Sequence, residues 1–138
     1  MKQLKEDSIE IDLELSRSIK ENYCYVSQDY DGTIKMIREG HTPKERVYKL
    51  PGTHRDIVIE TETLIGTPEM LFHPQKHEDR EIFGLHKALY ESALKCDPDI
   101  RTQLLRNIVL AGGTSTMEGF KERVTKEVNA LCSSLLQP

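Results

Sequence analysis

The fold of this chain is decided by the segment Asn107-Ile108-Val109-Leu110-Ala111-Gly112-Gly113-Thr114-Ser115-Thr116-Met117-Glu118-Gly119-Phe120. The segment predicts a short apolar strand, a turn at Gly112 and Gly113, and then a helix. Ser115 followed by Glu118 fits a capping box, with Ser115 as the N-cap and Glu118 at N3. In open α/β folds a ligand binds at such a junction, because the helix end offers unpaired backbone N–H groups. The pattern alone fits either a nucleotide-binding turn or a packing turn of an ordinary α/β domain.

Apolar residues spaced three or four apart predict the helices on either side of this junction. The final helix has its apolar stripe at Phe120, Val124, Val128 and Leu131. A first helix capped by Asp7 or Ser8 has its apolar face at Ile11, Leu15, Ile19 and Tyr23. A third is predicted over Glu81–Lys95, with Ile82, Leu85, Leu89 and Ala93 facing inward, and a short one after Asp97-Pro98 through Leu105.

Turn residues and β-branched runs predict the remaining elements. Tyr23–Ser27 is predicted as a strand, and Val47–Leu50 and Ile57–Glu60 as a hairpin around Pro51-Gly52. Asp29–Gly32 is predicted as a turn, followed by a mobile polar loop over residues 31–46. Gly66 and Pro74 divide the next stretch into two short helical turns, Glu62–Leu64 and Pro68–Phe72.

Composition excludes several classes of function. The 138 residues carry a net charge of −4, so a polyanion-binding surface and direct nucleic-acid binding are not expected. No apolar run of 18 residues and no secretory leader is present, so neither a membrane protein nor a secreted one is predicted. Three widely spaced cysteines predict reduced thiols in the cytoplasm, with the nucleus as an alternative.

Four stretches, in this order along the chain, resemble actins and actin-related proteins. The family has an Ile-Lys-Glu-x-x-Cys-Tyr-Val signature, a Tyr-x-Leu-Pro hairpin followed by a Pro-Glu-x-Leu-Phe-x-Pro turn, a Lys-Cys-Asp run, and a strand that enters Gly-Gly-Thr. The corresponding stretches here are Ile19–Val26, Tyr48–Pro51 with Ile57–Ile59 and Pro68–Pro74, Lys95–Arg101, and Ile108–Phe120.

The resemblance implies an α/β fold class and a division of the chain near Gln75. Residues 1–75 are similar to the small outer lobe of the family, subdomain 4. Residues 76–138 are similar to the part of subdomain 3 that carries the Gly-Gly adenosine loop. The expected fold is therefore part of an actin-like, ribonuclease-H-like ATPase fold, and the chain covers the middle-to-late third of an actin-type sequence.

The same resemblance implies a partial site for ATP or ADP. Lys20 and Glu21 match family positions that reach over the adenine and ribose, although adjacent charges on a helix are also typical of a solvated pair. Gly112, Gly113 and Thr114 match the loop on which the nucleotide lies. The family has a methionine and then an aromatic residue where this chain has Thr116 and Met117, so the base is expected to be held less well.

Catalysis is not expected from these residues alone. The resemblance implies that the phosphate-binding and metal-binding aspartates belong to segments that would precede Met1, so Mg²⁺ would arrive only with a nucleotide and with those segments. The expected function is an actin-like fragment of the cytoskeleton that does not hydrolyse ATP by itself. The alternatives are an interaction module of an actin-related protein in a cytoskeletal or chromatin-remodelling complex, and a small nucleotide-binding domain whose partner chain supplies the phosphate side. The expected partners are actin-like subunits or actin-binding proteins.

Overall fold

A computed structural model describes residues 13–41, 46–49, 56–76 and 82–135. The described residues form six α-helices, one two-stranded sheet and two short 3-10 turns. The 3-10 turns are Pro74–Lys76 and Gly113–Thr116. In chain order the other elements are α1 (Leu13–Tyr23), α2 (Tyr30–Arg38), β1 (Arg46–Lys49), β2 (Asp56–Ile59), α3 (Thr61–Glu69), α4 (Leu85–Leu94), α5 (Pro98–Arg106) and α6 (Phe120–Leu135).

The hairpin and the short helix after Asp97 are confirmed. Strands β1 and β2 pair antiparallel with Arg46 opposite Ile59, each starting one residue earlier than the sequence predicts. The carboxylate of Asp97 accepts a hydrogen bond of 3.1 Å from the backbone N–H of Asp99, and Pro98 occupies the first turn of α5. A proline fits there because the first helical N–H groups have no partner within the helix. The predicted cap of α1 and the predicted hairpin turn at Pro51-Gly52 lie outside the described residues.

The polar segment predicted as a turn and loop contains helix α2. Its N-cap is Asp29, whose side chain accepts a 3.0 Å hydrogen bond from the backbone N–H of Gly32. Ile34 is buried and provides the core contact of the helix. The prediction of a turn and loop was wrong because an N-terminal cap and the burial of Ile34 stabilise a short helix in this polar segment. Residues 42–45 of the predicted loop lie outside the described residues.

Helix α3 runs through Gly66, which was predicted to stop the first helical turn, and continues through Pro68 to Glu69. The second turn, predicted over Pro68–Phe72, is helical only at its first two residues. A proline inside a helix leaves the carbonyl four residues earlier without its usual donor. Here that carbonyl belongs to Leu64, and it accepts a 3.4 Å hydrogen bond from the backbone N–H of Tyr25. Because tertiary structure supplies the missing donor, Pro68 does not end the helix.

Neither apolar strand predicted outside the hairpin is a strand in the described structure. After α1, the N–H of Tyr25 pairs with Leu64 and the N–H of Val26 pairs with Glu118, so two different segments contact this stretch and no ladder forms. Residues 107–111 likewise belong to neither helix nor sheet, and the side chain of Val109 is 87% exposed. A run of apolar residues becomes a strand only where a neighbouring strand pairs with it.

Helices α4 and α6 begin later in the chain than the sequence predicts. Helix α4 begins at Leu85, and Ile82, predicted to face inward, is 43% exposed in the segment before it. Helix α6 begins at Phe120, not after Ser115, whose hydroxyl donates instead to the carbonyl of Gly112 at 2.7 Å. Gly119, with φ +79°, separates the 3-10 turn from α6, so the capping box does not form.

Two apolar clusters form the core of the described chain, and Met117 packs against both. The predicted stripe of α6 is buried at Phe120, Val124 and Val128 and half-buried at Leu131. The first cluster joins this stripe to Val26 and Phe72. The second cluster contains Cys24, Tyr48, Ile59 and Leu64. The division of the chain near Gln75 stays a prediction.

A buried arginine lies at the centre of the structure. The guanidinium of Arg123 on α6 donates to the carboxylate of Glu69 at 3.1 and 3.3 Å and to the backbone carbonyl of Ser27 at 2.6 Å. It also bonds to Glu127 at 2.6 Å and lies 5.0 Å from the centre of the Phe72 ring. The side chains of Arg123 and Glu69 are only 5% and 1% exposed. The arginine therefore connects α6, α3 and the segment after α1.

Replacing Arg123 with methionine is expected to lower the free energy of unfolding by about 3–5 kcal/mol, because the Glu69 carboxylate is then buried without its cation. The matched control is Lys35→Met, which removes an exposed ion pair with Glu39 and should cost less than about 1 kcal/mol. Urea unfolding at neutral pH measures both values. Equal losses would contradict the central role of Arg123.

Alanine at Gly119 is expected to destabilise the chain more than alanine at Gly40. Both glycines have a positive φ, +79° and +83°, so both changes carry the backbone strain of about 1–2 kcal/mol. A Cβ at Gly119 would also collide with the backbone carbonyl of Val26, whereas nothing lies within 4 Å at Gly40. Thermal unfolding should show an extra loss of about 1–3 kcal/mol for Gly119→Ala. Identical melting temperatures would show that the contact with Val26 is loose.

Candidate functional site

A cleft of about 400 Å³ lies between the last turn of α1 and the 3-10 turn Gly113–Thr116. The cleft brings together residues that lie about ninety positions apart in the sequence. Its lining contains six of the seven residues predicted to bind nucleotide. They are Lys20 and Glu21 from α1 and Gly113, Thr114, Thr116 and Met117 from the glycine turn and its end.

The seventh predicted residue, Gly112, does not line the cleft but shapes its wall. Its φ of +93° turns the chain into the 3-10 turn, and an added Cβ would meet nothing within 4 Å. The carbonyl of Gly112 accepts both the backbone N–H of Ser115 at 3.1 Å and its hydroxyl. Only Gly112 of the glycine pair has a positive φ, so the predicted conformational freedom is used at one of the two positions.

Hydrogen bonds between the two walls fix the position of the cleft. The backbone N–H of Val26, three residues after α1, donates to the carbonyl of Glu118 at 2.8 Å. The side-chain amide of Gln28 donates to the carbonyl of Gly119 at 2.9 Å. Because these bonds join the ends of both walls, the turn cannot move away from α1 without breaking them.

Charge inside the cleft comes from Lys20 and Glu21. Glu21 accepts a 2.9 Å hydrogen bond from the guanidinium of Arg17, one turn earlier on α1. The side chains of Arg17 and Glu21 are 74% and 52% exposed, so this pair is weak and the carboxylate can accept another donor. On the opposite wall, the hydroxyl of Thr116 donates to the carbonyl of Gly113 at 2.6 Å. The cleft thus offers one cation, one accessible carboxylate, hydroxyls and a thioether.

Arg46 on strand β1 is a neighbour of the site that sequence analysis missed. Its guanidinium lies 3.3 Å from the carboxylate of Glu118 and 5.4 Å from the centre of the Tyr25 ring. Burial raises the pKa of Tyr25, which keeps the phenol neutral beside this cation. Arg46 therefore ties the hairpin to the end of the glycine turn. No sequence signal could reveal this, because Arg46 and Glu118 lie 72 positions apart.

Other chemically interesting residues lie away from the cleft or are buried. The Nδ1 of His73 lies 2.7 Å from the carboxylate of Glu69. Within the described part of the chain, no group of three histidine, cysteine, aspartate or glutamate side chains could hold a metal ion.

Cys24 is expected to react with iodoacetamide more slowly than Cys96 or Cys132. Burial raises the pKa of the Cys24 thiol, although Lys20 and Arg46 partly oppose this, and the residue is only 8% exposed. A thiol that is both buried and protonated is a poor nucleophile. Mass spectrometry after timed labelling at pH 8 measures the three rates. Labelling in urea is the control, and Cys24 labelled first in the native protein would contradict this picture.

The described residues form helices and a small sheet, with a cleft at the glycine turn. The sequence profile of the actin family matches residues 9–137. The chain therefore belongs to the actin and actin-related protein family, and the predicted actin-like fold class is confirmed.

Among curated proteins, the chain is similar to centractin of Schizosaccharomyces pombe (strain 972 / ATCC 24843). The two are 40% identical over 118 residues, which cover 86% of this chain and 30% of centractin. The chain thus spans about a third of the length of the relative that it matches. In the part that the structure describes, no helix has the length and apolar character needed to cross a bilayer.

Proposed function

We propose that this chain contributes the adenosine side of a nucleotide site in an actin-related protein and does not hydrolyse ATP by itself. The observation that carries the proposal is the common cleft of six residues from α1 and the glycine turn. The same residues match the nucleotide-binding positions of the family in sequence. Their convergence in one cleft is what a ligand site requires and what a chance match would not provide.

Each lining residue suits one part of adenosine. The alkyl stem of Lys20 covers an apolar base face while its ammonium stays in water. The Glu21 carboxylate accepts hydrogen bonds from ribose hydroxyls. Gly113 and Thr114 let the nucleotide approach the backbone, because the glycine lacks a side chain. Thr116 and Met117 contact the base, and the flexible thioether of methionine packs less specifically than an aromatic ring.

Phosphoryl transfer needs more charge than this cleft contains. The reaction depends on positioning the phosphates and neutralising them with cations and a bound metal. Lys20 is the one cation among the six lining residues, and Glu21 is the one carboxylate. We therefore assign ATP or ADP as the ligand, with weak affinity, and Mg²⁺ as an ion that accompanies the nucleotide. Groups elsewhere in an actin-type protein would supply its ligands.

A second candidate function is a non-catalytic interaction module of a cytoskeletal or chromatin-remodelling complex. It is favoured by an open apolar groove of about 790 Å³, bounded by α4, α5 and residues 107–111. Partners in either case are actin-like subunits or actin-binding proteins. The similarity to centractin supports association with the cytoskeleton in the cytoplasm, with the nucleus as the alternative location.

Replacing Glu21 with glutamine is expected to weaken binding of both ATP and adenosine about five-fold, the effect of losing roughly 1 kcal/mol from one hydrogen bond to a charged group. The matched control is Glu14→Gln, an exposed carboxylate in the first turn of the same helix, which should change neither affinity. Calorimetric titration of the purified chain with each ligand measures the two dissociation constants.

ATP and adenosine are expected to bind with similar affinity, because the lining residues contact only the base and the ribose. Much tighter binding of ATP would mean that the chain also binds phosphate, which contradicts the assignment of a half-site. A cooperative thermal transition without binding of either ligand would reject the nucleotide site and favour the interaction module.

A further inference from the structure

His86, in the first turn of α4, is packed against the buried arginine network and is not part of the cleft. Its ring stacks on Phe72, with centroids 6.2 Å apart and an interplanar angle of 22°. The ring of His73 lies 5.7 Å away at 52°. The Nδ1 atom of His86 is buried and has no hydrogen-bond partner among the described residues. A buried nitrogen without a partner is unusual, and it marks a position where protonation has a large effect.

The charged groups around His86 come from three elements. Glu69 belongs to α3 and His73 follows that helix, Arg123 and Glu127 belong to α6, and Lys87 is the next residue on α4. Both carboxylates are already engaged, because Glu69 bonds to Arg123 and His73, and Glu127 bonds to Arg123. A positive charge on His86 would therefore lie near the Arg123 cation without a carboxylate of its own.

We propose that His86 is a pH-dependent switch. The neutral imidazole packs the start of α4 against Phe72, and protonation releases this contact. The first turn of α4 is also joined to the segment after α3 by a hydrogen bond of 2.8 Å from Leu85 N–H to the carbonyl of Leu71, and release would break this bond. Leu85 and Leu89 line the apolar groove, so protonation of His86 would control access to that surface.

The electrostatics agree with this geometry. Burial lowers the pKa of His86 from its ordinary value of 6.5, and the charges of His73 and Arg123 act in the same direction, while Glu127 and Glu69 oppose it. The folded chain therefore binds fewer protons at this position than the unfolded chain. Stability falls as the pH drops through 6.5 and stops falling below the folded-state pKa.

The pH range above 4.5 separates the titration of His86 from that of Glu127. The pKa of Glu127 is lowered from 4.5; its partial burial opposes this shift, but the hydrogen bond from Arg123 and the nearby charge outweigh that effect. The stability that Glu127 contributes is present above 4.5 and is lost only at lower pH. A change between pH 7.5 and 5.5 therefore reports on imidazole groups.

The test is urea unfolding of the full chain at pH 7.5 and 5.5, for the wild type, His86→Leu and His73→Gln. Leucine keeps an apolar contact with Phe72 and removes the titrating group, while glutamine at position 73 removes the neighbouring imidazole and keeps a hydrogen-bonding side chain. The urea midpoint of the wild type and of His73→Gln should fall at pH 5.5, and that of His86→Leu should fall by less than half as much. Equal falls in wild type and His86→Leu would overturn the proposal.

A second measurement works on the wild-type chain even if the leucine variant does not fold. NMR titration of the imidazole Cε1–Hε1 signals should give His86 a midpoint below that of histidine in an unstructured peptide. The hydrogen-exchange protection factor of the Leu85 amide should decrease at pH 5.5, while that of Val26, which bonds to Glu118, stays unchanged. A His86 midpoint at or above the peptide value would overturn the proposal.

Discussion

The structure depends on one buried cation, the guanidinium of Arg123. A charge removed from water must be matched by carboxylates and carbonyl oxygens, and Arg123 finds them on three separate segments. Glu69 comes from α3, the carbonyl of Ser27 from the segment after α1, and Glu127 from the same helix as the arginine. Because these partners satisfy the charge only together, the three segments are held in one arrangement.

The position of the cleft follows from this arrangement. Arg123 accompanies the apolar stripe of α6, and Gly119, just before that helix, contacts Gln28 from the segment after α1. The Val26 amide and the Glu118 carbonyl are joined in the same region. The wall made by α1 and the wall made by the glycine turn are therefore placed by contacts outside the cleft. A ligand would meet walls that are already positioned, which reduces the entropy lost on binding.

The same region combines a closed polar centre with an open apolar surface. The Arg123 guanidinium packs against the ring of Phe72, whose side chain is fully buried. One helix away, Val109 and Leu104 are exposed beside the apolar groove. Contiguous exposed apolar surface of this kind is typical of interaction sites. Helix α4 contributes His86 to the first region and Leu85 and Leu89 to the second.

The sequence by itself determined the family, the apolar stripe of α6, the hairpin and the identity of the residues that line the cleft, because periodicity and short motifs are local properties. It did not determine whether Asp29 begins a helix, or whether the helix after the hairpin continues through Gly66 and Pro68. Those outcomes depended on the Asp29 cap and on the Tyr25 amide, which supplies a donor from another segment. Likewise, the apolar run at Ile108–Leu110 does not form a strand in the described chain, because strand formation requires a partner that local sequence cannot supply. Only the tertiary structure could show that Arg123 is buried, since its charge is stabilised by Glu69, 54 positions away.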